Sequence, residues 1–303
     1  MNGGMCLAKE TVLIIGLGEI GHTLFELYSE SKEKFSVYGL DLDMEKMKAL
    51  GQSKGNVPAK VDTIQVCLPC GNPDKFADII KGYVDEYKPK LTIINSTVPP
   101  GTTLEVAAAC GCLVAHSPAR GVHINADHML WEMKRWTKYV GGADTAASKA
   151  AKTHFEKIGL KVKVLKSCRE TELAKLFETT YRAWMIVCFQ EMHRISRAFD
   201  AEFDEAVDFL EDTHKERFDR PVMFPGVIGG HCLIPNTELL LKSYDSEFLH
   251  LILESNEKRK EEIKDPIVKA EADKVAARAI ALEKRLAGPK NVVLDEKNPS
   301  GCT

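Results

Sequence analysis

The sequence predicts an α/β protein in which a doubly wound, Rossmann-type parallel sheet is followed by an all-helical domain. Two observations carry this prediction. Short apolar runs alternate with helical patterns from residue 11 to residue 165, the arrangement of a parallel sheet with crossover helices. After residue 166 the pattern is helical apart from one glycine-rich loop. We therefore expect a Rossmann domain over 1–166, a helical central domain over 167–265, and a final helix with a disordered tail over 266–303.

The predicted strands are short, continuously apolar runs, as expected of strands buried on both faces of a sheet. They are residues 11–15, 35–40, 63–69, 91–95, 113–116, 139–141 and 160–165. Ligands of such sheets lie beyond the carboxyl ends of the strands. We therefore expect one crevice, lined by the segments 16–21, 67–69, 96–97 and 116–120.

A G-x-G-x-x-G motif follows the first strand and opens a helix, which is the context of a dinucleotide-binding loop. Gly16 permits the tight turn, Gly18 lets a pyrophosphate approach the backbone, and Gly21 lets the helix pack closely on the strand. Asp41 ends the second strand, where a carboxylate binds ribose hydroxyls and repels a 2′-phosphate, so we predict NAD as the cofactor. The expected cofactor-binding residues are Gly16, Gly18, Glu19, Ile20, Gly21, Asp41, Leu68, Pro69, Ser96 and Thr97.

Composition and charge describe an ordinary globular protein. The 303 residues carry a net charge of −3, which gives no electrostatic case for nucleic-acid binding. No apolar run reaches the roughly 18 residues that a membrane helix needs, and the first residues lack the regions of a signal peptide. The nine scattered cysteines do not resemble a secreted disulfide framework. We expect a cytoplasmic protein with no membrane or nucleic-acid partner.

Two close cysteine pairs raise the alternative of a zinc or redox site. Cys67-Leu68-Pro69-Cys70 has the C-x-x-C spacing, and Cys110 and Cys112 form a second pair. The proline and the position at a strand end favour a loop that lines the cofactor crevice. We therefore predict no metal site.

A long helix over 169–199 opens the central domain after an S-x-x-E capping box at Ser167. Its polar residues Glu172, Lys175, Thr179 and Arg182 fall on one face, although a solvated helix face has the same pattern. Its apolar residues exceed what a chain of this length covers by itself, so we predict a homodimer through this helix. These residues are Leu173, Leu176, Phe177, Trp184 and Val187.

A glycine-rich loop follows, with the sequence Pro225-Gly226-Val227-Ile228-Gly229-Gly230-His231-Cys232. Its glycines leave the backbone open to a ligand beside a thiol. A surface turn with an incidental cysteine has a similar composition. Together with the dinucleotide loop and the lysine-bearing helix, this segment is interpreted as part of a nicotinamide site directed at Cys232.

With these residues in hand, the chain resembles the UDP-glucose/GDP-mannose dehydrogenase family of nucleotide-sugar dehydrogenases, over about residues 10–265. The resemblance implies a helical domain of the 6-phosphogluconate-dehydrogenase-like type after the sheet. It also implies a four-electron oxidation of the primary alcohol of a (nucleotide-)sugar or related alcohol by NAD. The matching segments are 16–21, Asn95–Thr103, Ser117-Pro118, Glu172–Thr179 and Pro225–Pro235.

The resemblance assigns roles to individual residues. Cys232 traps an aldehyde as a thiohemiacetal, which is oxidised to a thioester and then hydrolysed. Lys175 is a cation that lowers the pKa of a nearby thiol or holds an oxyanion, and Thr97 positions a water. The implied catalytic residues are Cys232, Lys175, Thr97, Asn236, Thr179 and Glu172. The implied substrate-binding residues are Arg120, Lys175, Gly226, Gly229 and Gly230.

Three positions depart from the family's pattern. The family's Asn one turn after the lysine is Thr179, its Asp four residues after the cysteine is Asn236, and its Glu after Ser-Pro is Ala119. Two carboxylates are thus replaced where thioester hydrolysis takes place. Two alternatives stay open: a two-electron alcohol dehydrogenase or carbonyl reductase of the same build, and a non-catalytic NAD-binding homologue. The family continues into a second Rossmann-like domain that grips the nucleotide, and we expect 291–294 to be only its first strand.

Overall fold

The computed structural model of the chain describes residues 8–121 and 126–287. These residues form two compact units that meet in sequence between Lys175 and Leu176, inside one long helix. The expected domain boundary at 166–167 lies at the start of that helix. The predicted strand at 291–294 and the predicted disordered tail lie outside the described residues.

The N-terminal unit is built on one seven-stranded sheet in the order β2-β1-β3-β4-β5-β6-β7. The strands are β1 (Glu10–Ile15), β2 (Phe35–Leu40), β3 (Thr63–Val66), β4 (Leu91–Ile94), β5 (Leu113–His116), β6 (Lys138–Gly142) and β7 (Val162–Val164). The helices are α1 (Glu19–Ser29), α2 (Met44–Ala49), α3 (Pro73–Tyr87), α4 (Thr102–Ala109), α5 (Ala126–Arg135) and α6 (Thr145–Lys157), with a 3-10 turn at Lys54–Asn56.

All seven predicted strands are present, and the central ones are buried on both faces. Val12–Ile15 and Ile93–Ile94 have essentially no exposed surface, which is why their sequences are continuously apolar rather than alternating. The strand order reverses at β1, which pairs with β2 on one side and with β3 on the other. After β1 the chain therefore builds first one half of the sheet and then the other. This switch point lies directly before the glycine motif.

The predicted parallel, doubly wound sheet is confirmed, and one pair of strands departs from it. β6 runs antiparallel to β5, with Ala115 opposite Gly142 and His116 opposite Gly141. The chain leaves β5 at the carboxyl edge, and α5 returns it to that same edge, so β6 must enter the sheet from there. As a consequence Lys138, the first residue of β6, lies at the carboxyl edge beside the residues that follow β5.

The C-terminal unit is helical in the described residues. It comprises the later part of α7 (Cys168–Ala198) together with α8 (Phe203–Arg217), α9 (Leu233–Ser243), α10 (Glu247–Glu262) and α11 (Pro266–Ala287). Ile186, Val207, Ile252 and Val275 have no exposed surface and mark its core. The helix expected as a separate third segment is therefore part of this unit. None of the described helices is long and apolar enough to cross a membrane.

Candidate functional site

The glycine motif forms the turn between β1 and α1. Gly16 has φ +89°, in the left-handed region that favours glycine. A Cβ at Gly21 would lie 1.7 Å from the carbonyl oxygen of Gly16, so any side chain there would push α1 away from the turn. A Cβ at Gly18 would meet no atom within 4 Å, because this position faces open space. Gly18 is also the N-cap of α1 and has no side chain to cap it, which leaves the helix N-terminus available to an anion.

Asp41 lies at the carboxyl end of β2 and is tied to this turn. Its Oδ2 accepts a hydrogen bond of 2.6 Å from the backbone N–H of Leu17, and its Oδ1 accepts one of 2.8 Å from Asp43. A carboxylate has about four lone-pair positions, so both oxygens retain acceptor capacity for ribose hydroxyls. Sequence reasoning predicted the ribose role but not the bond to Leu17.

The loops after β3 and β4 supply the remaining predicted cofactor residues. Leu68 packs against the core of the sheet, Pro69 is exposed, and Thr97 is half-buried. Ser96 is only 8% exposed, and its hydroxyl has no hydrogen-bond partner in the described part of the chain. A buried hydroxyl costs free energy unless it is bonded, so Ser96 is suited to a ligand that supplies the bond. Together with the open helix terminus at Gly18, it fits a dinucleotide.

Glu172, predicted as a catalytic residue, is engaged with the start of α4. Its Oε2 accepts a hydrogen bond of 2.7 Å from Gly101 N–H, and its Oε1 accepts one of 2.8 Å from Thr103 N–H. Gly101 is the N-cap of α4 and brings no side-chain cap of its own, so Glu172 provides that cap from another helix. Burial raises the pKa of Glu172, while these bonds oppose the rise. Its observed contacts hold the Ser96–Gly101 loop against α7.

His116 connects the end of β5 to the same loop. Its Nε2 donates to the Ser96 carbonyl over 3.0 Å, and its Nδ1 lies 2.8 Å from the Thr171 hydroxyl. Burial, reinforced by the positive charges of Lys138 and Lys175, lowers the pKa of His116 to about 3, although the hydrogen bond to Ser96 opposes this shift. The imidazole is therefore neutral, and the charge of Lys175 reaches this part of the carboxyl edge.

Arg120, a predicted substrate-binding residue, is stacked between aromatic rings. Its guanidinium carbon lies 5.2 Å from the Trp136 ring centroid and 5.4 Å from that of Tyr139. Ala119, where the family has a carboxylate, is only 6% exposed. Both residues line a small cavity together with Trp136 and Lys138. This side of the carboxyl edge is cationic and aromatic.

The three glycines of the loop before Cys232 have different roles in the structure. A Cβ at Gly226 would lie 2.3 Å from the ring of Phe224, so this glycine is required by packing within the loop. Gly230 has φ +73°, which requires a residue that tolerates the left-handed region. A Cβ at Gly229 would meet nothing within 4 Å. At Gly229 the backbone leaves room for the close approach of a ligand that the sequence predicted.

Side chains of α7 and α10 fix the backbone of this loop. Gln190 Nε2 donates to the Gly226 carbonyl over 2.7 Å. The side chain of Asn256 forms two hydrogen bonds with the backbone of Ile228, accepting from its N–H at 2.8 Å and donating to its carbonyl at 3.2 Å. Cys232 then forms the N-cap of α9 and is partly buried. Hydrogen bonds therefore fix the loop at Gly226 and Ile228, a few residues before Cys232.

Several other cysteines have thiol pKa values that are raised by desolvation. Burial raises the pKa of Cys67 to about 12 and that of Cys110 and Cys168 to about 11. Desolvation also raises the pKa of Cys112 and that of Cys188, although Cys188 is exposed. A thiol rather than a thiolate is a poor nucleophile. These cysteines are consequently poor candidates for covalent catalysis. No group of three or more metal-ligating side chains is found in the described residues.

Sequence reasoning missed three polar residues that organise these loops: Lys138, Gln190 and Asn256. Lys138 begins a short strand between aromatic residues, where a lysine normally marks a solvated strand end. Gln190 and Asn256 lie in amphipathic helices whose sequences show no feature that separates a buried amide from an exposed one. The sequence therefore gave no signal of the buried role of any of the three residues.

Comparison with known proteins relates this architecture to nucleotide-sugar dehydrogenases. Residues 169–258 match the profile of the UDP-glucose/GDP-mannose dehydrogenase family, central domain. The chain is 26% identical to a UDP-N-acetyl-D-mannosamine dehydrogenase of Methanocaldococcus jannaschii, over 88% of this chain and 70% of that protein.

Two solved structures share the fold. The structure of the UDP-D-ManNAc dehydrogenase from Pyrococcus horikoshii matches with a TM-score of 0.66 and 20% identity, over 91% of this chain and 72% of that one. The 3-hydroxyisobutyrate dehydrogenase of Mycobacterium tuberculosis matches with a TM-score of 0.63 and 16% identity, over 85% of this chain and 95% of that one. At these identities the similarity establishes the fold.

The α/β fold and these matches define the class of the protein, which is an oxidoreductase of the dehydrogenase type, as the sequence predicted. More specifically, residues 169–258 match the central domain of the UDP-glucose/GDP-mannose dehydrogenase family, and the chain is similar to UDP-N-acetyl-D-mannosamine dehydrogenases. The family resemblance that the motifs indicated is thereby confirmed.

Proposed function

We propose that the protein is an NAD-dependent dehydrogenase that oxidises the primary alcohol of a nucleotide sugar or related sugar, with Cys232 as its covalent nucleophile. The observation that carries the proposal is the placement of Cys232. It begins α9 at the end of a loop whose backbone is fixed by Gln190 and Asn256, and preorganisation of this kind is typical of a reactive side chain. The match of residues 169–258 to the central domain of the UDP-glucose/GDP-mannose dehydrogenase family supports the reaction type.

NAD, when bound, accepts the electrons removed from the substrate carbon. In the proposal, the open N-terminus of α1 at Gly18 binds the pyrophosphate, and Asp41 binds the ribose hydroxyls. The buried hydroxyl of Ser96 bonds to the cofactor, since it has no partner in the described part of the chain.

The proposed covalent chemistry belongs to the chain itself. The Cys232 thiolate adds to the aldehyde carbon, forming a C–S bond and an oxyanion that Lys175 stabilises. Transfer of a hydride from the carbon of this thiohemiacetal to a second molecule of NAD would give a thioester. Water oriented by Thr97 then adds to the thioester, the C–S bond breaks, and the acid and the free thiol are released. The proposed substrate-binding residues are Arg120, Lys175, Gly226, Gly229 and Gly230.

A second candidate is a two-electron dehydrogenase that releases the aldehyde. One observation favours it: the positions at which the family carries hydrolytic carboxylates hold Ala119 and Asn236, and Asn236 bonds to Thr179 rather than to a carboxylate. General-base activation of water is worth about 10²–10⁴-fold in rate, so its loss stops the reaction before the acid.

The stoichiometry of NADH separates the two candidates. The protein is incubated with NAD and a panel of nucleotide sugars that includes UDP-N-acetyl-D-mannosamine, and NADH formed per substrate consumed is counted. Two NADH with acid as product support the first candidate, and one NADH with aldehyde supports the second. Cys232→Ser abolishes acid formation if the thiol is the nucleophile. Absence of NADH with every sugar contradicts both candidates and leaves a non-catalytic NAD-binding protein.

We also infer that the protein is a homodimer through α7. Leu176 and Val187, which the sequence assigned to the dimer face, are buried within the chain, whereas Phe177 is 55% exposed and Tyr181 is 65% exposed. Two large apolar side chains one turn apart on an exposed helix face are typical of an interface. In solution we expect a soluble dimer in the cytoplasm.

A further inference from the structure

Lys138 is a buried lysine whose three hydrogen bonds join two loops. It is only 6% exposed. Its Nζ donates to the Ser117 carbonyl over 2.8 Å, to the Asn95 side-chain oxygen over 3.2 Å, and to the Pro118 carbonyl over 3.3 Å. Lysine is almost never fully buried unless its charge is compensated, so this arrangement requires an explanation.

The three acceptors match the ammonium form of lysine. An ammonium group has three N–H donors and no acceptor, whereas a neutral amine has two. Carbonyl and amide oxygens can only accept. The neutral amine would therefore leave one of the three oxygens without a donor.

The orientation of Asn95 is set by a second buried side chain. Asn95 Nδ2 donates to Gln65 Oε1 over 2.8 Å, which directs Asn95 Oδ1 toward Lys138. Gln65 in turn donates to the Tyr28 hydroxyl over 2.7 Å. The acceptor for Lys138 is thus held in place from within the sheet and is not free to rotate away.

The bonds of Lys138 connect the segments that follow two neighbouring strands. Asn95 directly precedes Ser96 and Thr97 after β4, while Ser117 and Pro118 directly precede Ala119 after β5. The backbone adds one long bond between these segments, from Ala119 N–H to the Asn95 carbonyl at 3.3 Å. Beside the bond of His116 to the Ser96 carbonyl and the backbone bond of Ser117 to Ile94, the ammonium group of Lys138 bonds to both loops at once.

We propose that the ammonium group of Lys138 positions the loop after β4 against the loop after β5 and thereby sets the affinity of the protein for its nicotinamide cofactor. The second half of the statement rests on the proposed function, because Ser96 and Thr97 are proposed cofactor residues. Lys138 is a positioning residue, since it acts through the loops and not on the substrate.

The same residue makes the arrangement sensitive to pH. Burial lowers the pKa of Lys138 to about 7; Cys67 opposes this, while Lys175 and Arg120 reinforce it. His116, the other titratable group facing it, is neutral because burial lowers its pKa to about 3. On the α6 side, Lys138 faces the ring of Phe155 at 5.3 Å. The ammonium form is therefore present below about pH 7 and is lost as pH rises through that value.

The test compares the wild type with Lys138→Met, which has a similar length and no N–H donor. Lys161→Met is the matched control, because Lys161 is exposed and lies on the neighbouring segment before β7. Hydrogen–deuterium exchange is read on peptides that cover 95–103 and 113–121. The dissociation constant for NAD is measured by calorimetry from one pH unit below the pKa of Lys138 to one unit above it, and thermal unfolding verifies that each variant folds.

We expect faster exchange in both peptides of Lys138→Met and unchanged exchange in the control. NAD binding should weaken about tenfold in the wild type as pH rises, and Lys138→Met should bind weakly at every pH. Unchanged exchange in a folded Lys138→Met overturns the positioning role. Faster exchange with a dissociation constant that follows the same pH profile as wild type overturns the link to the cofactor. Faster exchange in Lys138→Met, together with a wild type that binds no NAD at any pH, keeps the positioning role and removes the proposed function.

Discussion

Asn236 donates a hydrogen bond from its side-chain Nδ2 to the Thr179 hydroxyl, with 3.3 Å between the two atoms. Both residues are buried, and the Thr179 hydroxyl in turn donates to the Leu176 carbonyl over 2.9 Å. Two of the three departures from the family pattern are therefore one interacting pair. The backbone N–H of Asn236 also bonds to the carbonyl of Cys232 over 3.0 Å, which places this pair in the first turn after the proposed nucleophile.

Restoring the carboxylate at this pair should accelerate the second oxidation. Asn236→Asp introduces a base next to Cys232, and a positioned base accelerates water attack by about 10²-fold or more. We expect the ratio of acid to aldehyde to rise, measured by mass spectrometry of the products. Asn56→Asp makes the same chemical change at an exposed position and should leave the ratio unchanged. If Asn236→Asp keeps the thermal stability of wild type and its ratio of acid to aldehyde is unchanged, a hydrolytic role for this position is contradicted.

The preference for NAD over NADP should depend on the charge of Asp41. Asp41→Asn keeps an oxygen that can accept from Leu17 N–H, so the turn is preserved while the charge that repels a 2′-phosphate is removed. We expect the dissociation constant for NADP divided by that for NAD to fall about tenfold, as the loss of a single charge contact of about 1.4 kcal/mol predicts. Asp78→Asn, at an exposed position on α3, is the control. NADP binding as tight as NAD binding in the wild type would show that Asp41 does not contact the ribose.

The dimer should depend on the exposed apolar face of α7. Light scattering is expected to give about twice the chain mass of 33.7 kDa for the wild type. Phe177→Glu buries a charge in the proposed interface and should shift the protein toward the monomer. Phe209→Glu changes a still more exposed phenylalanine on α8, where no interface is proposed, and should leave the mass unchanged. A monomeric wild type at micromolar concentration contradicts the proposal.

Glu10 should make the N-terminal unit sensitive to acid. Burial raises its pKa, but bonds from His154, Lys157 and Thr63 outweigh burial and bring the pKa down to about 2. A depressed carboxyl pKa contributes stability that is complete above the unfolded value of 4.5 and is lost as pH falls toward 2. We expect a loss of about 2 kcal/mol across this window, after allowance for partial exposure.

Denaturant unfolding at several pH values measures this loss. In Glu10→Gln, the free energy of unfolding should fall much less between pH 4.5 and pH 2 than it does in wild type. Glu33→Gln, at an exposed position, should show the same fall as wild type. Identical pH profiles for wild type and Glu10→Gln would show that the bonds of Glu10 do not persist in solution.

The strands and most helices followed from sequence because their signals are local. The run Thr11–Ile15 is apolar throughout, and the glycines that follow it are demanded by a turn at Gly16 and by close packing at Gly21. Helix α2 was not predicted, because six residues are too few to show a helical periodicity. Asp43 caps this helix by accepting a hydrogen bond from Glu45 N–H at 3.0 Å.

The antiparallel entry of β6 and the bonds of Lys138 could not be predicted, because both depend on contacts between segments distant in sequence. Lys138 is separated from Asn95 by 43 residues, and no local pattern specifies that pairing. Within the candidate site, the cofactor turn was therefore more predictable than the network behind it. Glu172 shows the same limit, because its bonds to Gly101 and Thr103 join residues that are 71 and 69 positions away in sequence.

The central claim is that Cys232 is the reactive thiol and that its reactivity depends on Lys175. The direct measurement is iodoacetamide labelling as a function of pH, read for each cysteine peptide by mass spectrometry, in wild type and in Lys175→Met. We predict that Cys232 labels well below the reference thiol pKa of about 8.5 and that Lys175→Met returns it toward that value. Cys188, whose pKa burial raises, should label only at higher pH in both proteins. A profile for Cys232 that matches that of Cys188 and does not move when Lys175 is replaced would contradict covalent catalysis by this protein.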